Sequence, residues 1–231
     1  MVQTPDAPNE AFLREVDENL RRDQARDFAQ RYGKWLIAAA VLLLAVTGGY
    51  LYWQEHKQKQ TEAQSEELAA IYTDIGAGKA VPAKARLQAL EDSHSDVIRA
   101  LTLLTEAAIA LEGNDRATAL AKYRAVTDAD VPQPYRDLAL VRATAIEFDT
   151  IKPEEVVARL EPLSKPGEPW FASAGEMTAL AYLKQGRKAQ AGKLFAAIVG
   201  DSQAPASARS RASQIAGTLG VDASAALAAA N

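Results

Sequence analysis

Ala107 to Val126 reads AAIALEGNDRATALAKYRAV, and Ala179 to Ile198 reads ALAYLKQGRKAQAGKLFAAI. The two stretches superpose without a gap at an offset of about 72 residues, close to twice the ~34-residue period of stacked helical hairpins. Ala107 falls on Ala179 and Leu111 on Leu183. Ala117 and Ala119 fall on Ala189 and Ala191, Tyr123 on Phe195, and Val126 on Ile198. Two antiparallel helices joined by a tight turn must touch at small residues near the turn. An aromatic ring one turn further along fills the wider gap.

A small residue, an aromatic four positions on and an aliphatic three after that is the tetratricopeptide signature. A weaker copy lies between the two strong ones, at Ala143, Phe148, Val156, Leu160 and Leu163, with its turn from Thr150 to Pro153. A degenerate unit spans Leu68 to Leu90, with Ala85 in the small position and Ala89 or Leu90 in the apolar one. Alanine-rich helices also match one another by chance, so an ordinary helical bundle is the competing reading. Beyond Glu55 the pattern is helical throughout, punctuated at Gly76-Ala77-Gly78, Gly113-Asn114-Asp115, Val131 to Pro134, Lys152-Pro153, Lys165-Pro166-Gly167 and Gln185-Gly186. No stretch alternates with period two, so the expected fold is all-α.

Composition agrees. Of 231 residues 48% are hydrophobic but only 6% aromatic, and alanine, the best helix former, carries much of the apolar content. The formal net charge of -4 and the lack of any cluster of Lys and Arg with interleaved aromatics argue against nucleic-acid binding. There is no cysteine, which excludes disulfides and thiolate metal sites.

From Trp35 to Gln54 the chain reads WLIAAAVLLLAVTGGYLYWQ, with no charge between Lys34 and Glu55. As a helix, roughly 20 residues span about 30 Å, the thickness of the bilayer hydrocarbon. Trp35 stands at one end and Tyr50, Tyr52 and Trp53 at the other, as rings do at the headgroup interface. The competing reading is a buried core helix. A cleaved signal peptide fits less well, because a long mixed-charge segment precedes the span and no small-x-small site follows it. The stretch is read as one retained transmembrane helix in contact with membrane lipid.

Arg21, Arg22, Arg26, Arg31 and Lys34 precede the span, and only Lys57 and Lys59 follow within a similar distance. The excess of positive charge sets the N-terminus in the cytoplasm and the bulk of the chain beyond the membrane, which in a bacterium is the periplasm. The expected layout is a cytoplasmic arm over 1–34, the span over 35–54, a helical-repeat domain over 55–221 and an alanine-rich tail over 222–231. In the arm, Asn9 is expected to cap a short amphipathic helix with Phe12, Val16 and Leu20 on one face. That helix is either a docking element or a lead-in to the anchor.

Catalytic motifs are missing. His56 lies beside the span and His94 in the turn Asp92-Ser93-His94-Ser95, without the three or four convergent ligands a metal needs. There is no Gly-x-Ser-x-Gly elbow and no phosphate-binding loop. Glu66-Glu67 and Glu154-Glu155 read as solvated carboxylates. No cofactor and no enzymatic activity are expected.

Stacked hairpins curl so that the first helix of each pair lines a concave face. The inner-face positions on the alignment are Leu101, Leu104, Leu138, Val141, Ser173 and Glu176, and Trp170 with Phe171 would frame the groove. Each aliphatic has packing against its neighbour as the competing role. A groove so lined suits an extended peptide with apolar side chains.

Taken whole, the chain resembles the YfgM-like ancillary subunits of the SecYEG translocon. The resemblance is carried by Arg31-Tyr32-Gly33-Lys34-Trp35 running into the apolar span and by its end at Tyr52-Trp53-Gln54. It implies a short cytoplasmic arm, one membrane helix in the bacterial inner membrane and a periplasmic tetratricopeptide-like domain. It also implies protein partners: the SecYEG translocon, periplasmic chaperones and a membrane-anchored prolyl isomerase. An assembly factor for another envelope machine, serving cytochrome maturation or division, would use the same architecture.

Overall fold

The computed structural model describes residues 7–221, with side chains throughout that range except at 7–25, 27–29, 36, 80 and 81. The described residues form α-helices and one 3-10 turn, with no strand. The chain divides into two compact units, Met1–Gln60 and Thr61–Asn231.

The first unit is built on α1 (Ala7–Gly76). This helix starts ahead of Asn9, so Asn9 lies inside the first turn and does not cap it. Pro8 explains the earlier start, since its fixed φ suits a first helical turn and its missing N–H is not needed there. Phe12, Val16 and Leu20 fall on residues whose side chains are outside the described set. The described side chains from Ile37 to Gln60 are all exposed, with Leu44 at 72%. None of the apolar stretch is buried, whereas a core helix would be covered. One N-terminal helix is therefore long and apolar enough to cross a membrane. Within it the Thr47 hydroxyl donates to the Leu43 carbonyl at 2.8 Å, so its polar group is satisfied inside its own helix. Just past the apolar run the Lys57 ammonium sits 3.9 Å from the centre of the Trp53 ring.

The second unit is a row of helical hairpins. The end of α1 pairs with α2 (Ala80–Gln88), α3 (Asp96–Glu112) with α4 (Arg116–Asp128), α5 (Gln133–Glu147) with α6 (Pro153–Leu160), and α7 (Phe171–Lys184) with α8 (Lys188–Val199). A last helix, α9 (Ala206–Thr218), packs on α8 and α7.

One triplet recurs along every second helix, its last member falling just past the end of α2 at Leu90 and in the 3-10 turn after α6 at Leu163. Ala83, Leu87 and Leu90; Ala119, Tyr123 and Val126; Val156, Leu160 and Leu163; Ala191, Phe195 and Ile198 are all buried. In each the spacing is four, then three, which puts all three side chains on one helical face. The first unit thus takes a register other than the one read from sequence. Ala85 and Ala89 face solvent, and Ala83 and Leu87 take their places beside Leu90. The larger leucine wins the buried position because it removes more apolar area from water than an alanine.

The core follows the same rhythm. One cluster joins Leu68 and Ile71 of α1 to Leu87 and to Ile98 of α3. The next joins α3, α4 and α5 through Leu104, Tyr123 and Ala139. The third joins α5, α6 and α7 through Val141, Leu160 and Ala174. The last joins α7, α8 and α9 through Phe171, Phe195 and Ala212. Each of α3, α5 and α7 serves two clusters.

The turns inside three hairpins share one device. Gly78, Asn114 and Gly186 have φ of 78°, 60° and 74°. The following amide reaches back across the turn, Lys79 to the Asp74 carbonyl, Asp115 to that of Ala110 and Arg187 to that of Tyr182, at 2.8–2.9 Å. This is the left-handed helix stop that glycine adopts freely and asparagine tolerates. The third hairpin departs from it. Thr150 and Ile151 donate instead to the Glu147 carbonyl at 2.8 and 3.0 Å. Asp115 also accepts a bond from the Thr118 amide at 3.0 Å, which caps α4, and the Thr118 hydroxyl and then this amide hold its carboxyl below the usual range.

Candidate protein-binding groove

The first helices of successive hairpins lie side by side, α3 against α5 and α5 against α7. Along α3, Leu104, Ala108, Leu111 and Glu112 recur at three, four and seven and share one face. Leu138 and Arg142, four apart, come from α5. Together with Tyr123 of α4 they line an open cleft of about 440 Å³. Its floor is apolar, from Leu104, Ala108, Leu138 and the Tyr123 ring. Glu112 and Arg142 add one charge of each sign. Leu111 is 37% exposed, a large aliphatic held in contact with water. Burial pushes the Tyr123 phenol up from its ordinary pKa, against the opposing pull of the Arg142 guanidinium, so it stays neutral at physiological pH.

Of the residues expected to line a groove, Leu104 and Leu138 are brought together here. Leu101 is half-buried against the cluster of Leu68 and Ile71. Val141 is buried in the cluster of α5, α6 and α7, and Trp170 is half-buried against it. Ser173 is exposed. Glu176 accepts two hydrogen bonds from the Arg211 guanidinium of α9, at 2.8 and 2.7 Å. Trp35, Tyr50, Tyr52 and Trp53, expected at a membrane interface, are exposed on α1.

Ala108, Leu111, Glu112, Tyr123 and Arg142 complete the cleft and were not singled out for it by sequence. A signal existed for the α3 residues, whose spacing from Leu104 is that of one helical stripe. Among the described residues no group of three or more His, Asp or Glu stands together as metal ligands would. His94 is exposed in its turn, and the His56 ring lies 3.3 Å from the Gln60 amide nitrogen.

A family model described as a tetratricopeptide repeat-like domain matches residues 26–216, which takes in the apolar span as well as the hairpins. No curated protein and no solved structure matches the chain.

Proposed function

The chain belongs to the tetratricopeptide repeat-like domain family, and on that footing we propose that it is a membrane-anchored adaptor that holds protein partners in the cleft between α3 and α5. The single observation that carries this is the occurrence in one chain of a preformed, largely apolar cleft and, N-terminal to it in sequence, a helix whose apolar stretch is wholly exposed. The cleft offers Leu104, Leu111 and Leu138 to apolar side chains of a partner segment, with Glu112 and Arg142 to set its register. The anchor raises the effective concentration of a weak site near its clients.

In this reading residues 1–34 are cytoplasmic, 35–54 cross the inner membrane, 55–221 form the periplasmic interaction domain and 222–231 are a tail. The resemblance to YfgM-like subunits favours the SecYEG translocon, periplasmic chaperones and a prolyl isomerase as partners. The role is binding, without catalysis.

In-cell photo-crosslinking tests it, with a probe at Leu111 or Leu138 and a control probe at exposed Lys193 on α8. Translocon or chaperone adducts from the cleft alone are expected. Adducts with cytochrome-maturation or division proteins would support the alternative machine. Equal adducts from Lys193 and from the cleft would overturn the assignment of the site.

A further inference from the structure

The cleft between α3 and α5 is apolar but for Tyr123, Arg142 and Glu112. Tyr123 is only 5% exposed, yet its hydroxyl makes no hydrogen bond among the described residues and is not sealed from solvent. Arg142 lines the same cleft and pairs with no carboxylate of the described residues. By contrast Arg86, Arg99, Arg124, Arg159 and Arg211 each meet one. The Arg142 guanidinium is near enough for its charge to act on the Tyr123 phenol, an effect that Glu112 does not share. Glu112 ends α3 and stays exposed.

Water serves the phenol and the guanidinium while the cleft is open. A partner segment that covers them displaces this water and must return its hydrogen bonds. A wholly apolar segment would leave both groups covered and unpaired, which is costly. A basic side chain would meet the charge of Arg142. A guanidinium only donates, and the neutral phenol has one O–H to give, so the group that satisfies both is an acceptor. A carboxylate is the strongest such acceptor, because its bonds to both donors are charge-assisted.

Resting on the reading of this cleft as the partner site, we propose that its occupant is a protein segment with one Asp or Glu side chain set between apolar residues. The carboxylate accepts from the Tyr123 hydroxyl and the Arg142 guanidinium, and the flanking side chains lie on Leu104, Leu111 and Leu138. Tyr123 thus serves twice, its ring in the core of the hairpin and its hydroxyl in choosing the partner.

The test uses the full chain in nanodiscs of neutral lipid, with its leucine methyls labelled for NMR. Acetyl-Leu-Ala-Glu-Ala-Leu-amide is titrated in, and separately the same peptide with Gln or Lys at its centre. Saturable shifts of the Leu111 and Leu138 methyls are expected, with the Glu peptide about tenfold tighter than the Gln peptide and the Lys peptide weakest. Tyr123→Phe, which removes only a hydroxyl, and Arg142→Gln, at an exposed position, should each weaken the Glu peptide more than the Gln peptide. Arg142→Glu should reverse the order in favour of Lys, a gain that a damaged fold cannot produce. Glu112→Gln should leave the preference for Glu standing. Equal binding of the Glu and Gln peptides, or an order that Arg142→Glu does not change, overturns the proposal and leaves the adaptor reading intact. Methyls that no peptide moves overturn the proposal too, and the crosslinking from Leu111 and Leu138 then decides whether the adaptor reading falls with it.

Discussion

Phe195→Ala removes the aromatic of the last hairpin's triplet, a side chain with no exposed surface among Phe171, Ala179, Ala191, Ile198, Ala212 and Ala216. Burying such a side chain is worth about 1.5–3 kcal/mol in transfer from water. The cavity left behind, on the order of 100 Å³ before relaxation, adds about 2.4 kcal/mol at ~24 cal/mol per Å³. Relaxation recovers only part of this, because five of the eight other buried members of the cluster are alanines, which have no rotamer to swing into the gap. The expected loss is therefore about 4 kcal/mol, a large share of the roughly 5–15 kcal/mol of a typical domain. Phe195→Leu, which keeps most of the volume, should lose no more than about 1.5 kcal/mol. Urea unfolding of the detergent-solubilised chain, followed by far-UV circular dichroism, measures both. A loss below about 1 kcal/mol for Phe195→Ala at unchanged m would refute the picture of a rigid alanine-walled core.

Gly186→Ala should destabilise by roughly 1 kcal/mol in the same assay. A left-handed conformation costs a non-glycine residue about 1–2 kcal/mol, partly offset by ~0.4–1 kcal/mol from a stiffer unfolded chain, and nothing within 4 Å of the added methyl group contributes a clash. Asn114→Gly, at the matching turn, should be near neutral, and a stabilising Gly186→Ala would contradict the turn geometry. Glu106, faced by Glu91, Lys84, Lys122 and Asp115, has its folded-state carboxyl raised chiefly by burial. The folded protein then binds a proton that the unfolded chain has released, so this group's contribution to stability falls as pH rises from the ordinary carboxylate range through the raised value. The stability of wild type relative to Glu106→Gln should accordingly decline over that window, and a pH-independent difference would contradict the burial argument. The intact chain should resist carbonate extraction from membranes, and arginines at Leu43 and Leu44, costing about 2.5–3.5 kcal/mol each at a bilayer centre, should release it. Extraction of the wild type would remove the anchor.

The hairpins were legible where their residues differ in kind. Tyr123 and Phe195 stand out against alanine, and Asn114 and Gly186 mark their turns, so the two strong copies were fixed by chemistry that no neighbour imitates. The first hairpin was not fixed in this way, because Ala83, Ala85 and Ala89 look alike in sequence and only burial distinguishes them. The cleft was half legible. Leu104 and Leu138 follow from the inner-face rule, but Tyr123 reads as a packing ring, and its second role on the cleft wall depends on how α3 and α5 are spaced. Glu106 gave no signal at all, since a glutamate on a helix is ordinarily a solvated one.

The sharing of α3, α5 and α7 between consecutive clusters has a mechanical corollary. A second helix such as α8 belongs to one cluster, whereas α7 belongs to two and stays held by Val141 and Leu160 after α8 and α9 have gone. Pulled from its C-terminal end, the row of hairpins should therefore yield in a staircase, one step for each cluster. The cluster of Phe171 and Phe195 opens as α9 and α8 peel away, and that of Val141 and Leu160 opens next, as α7 and α6 follow. That staircase would be readable by force spectroscopy as a count of the clusters.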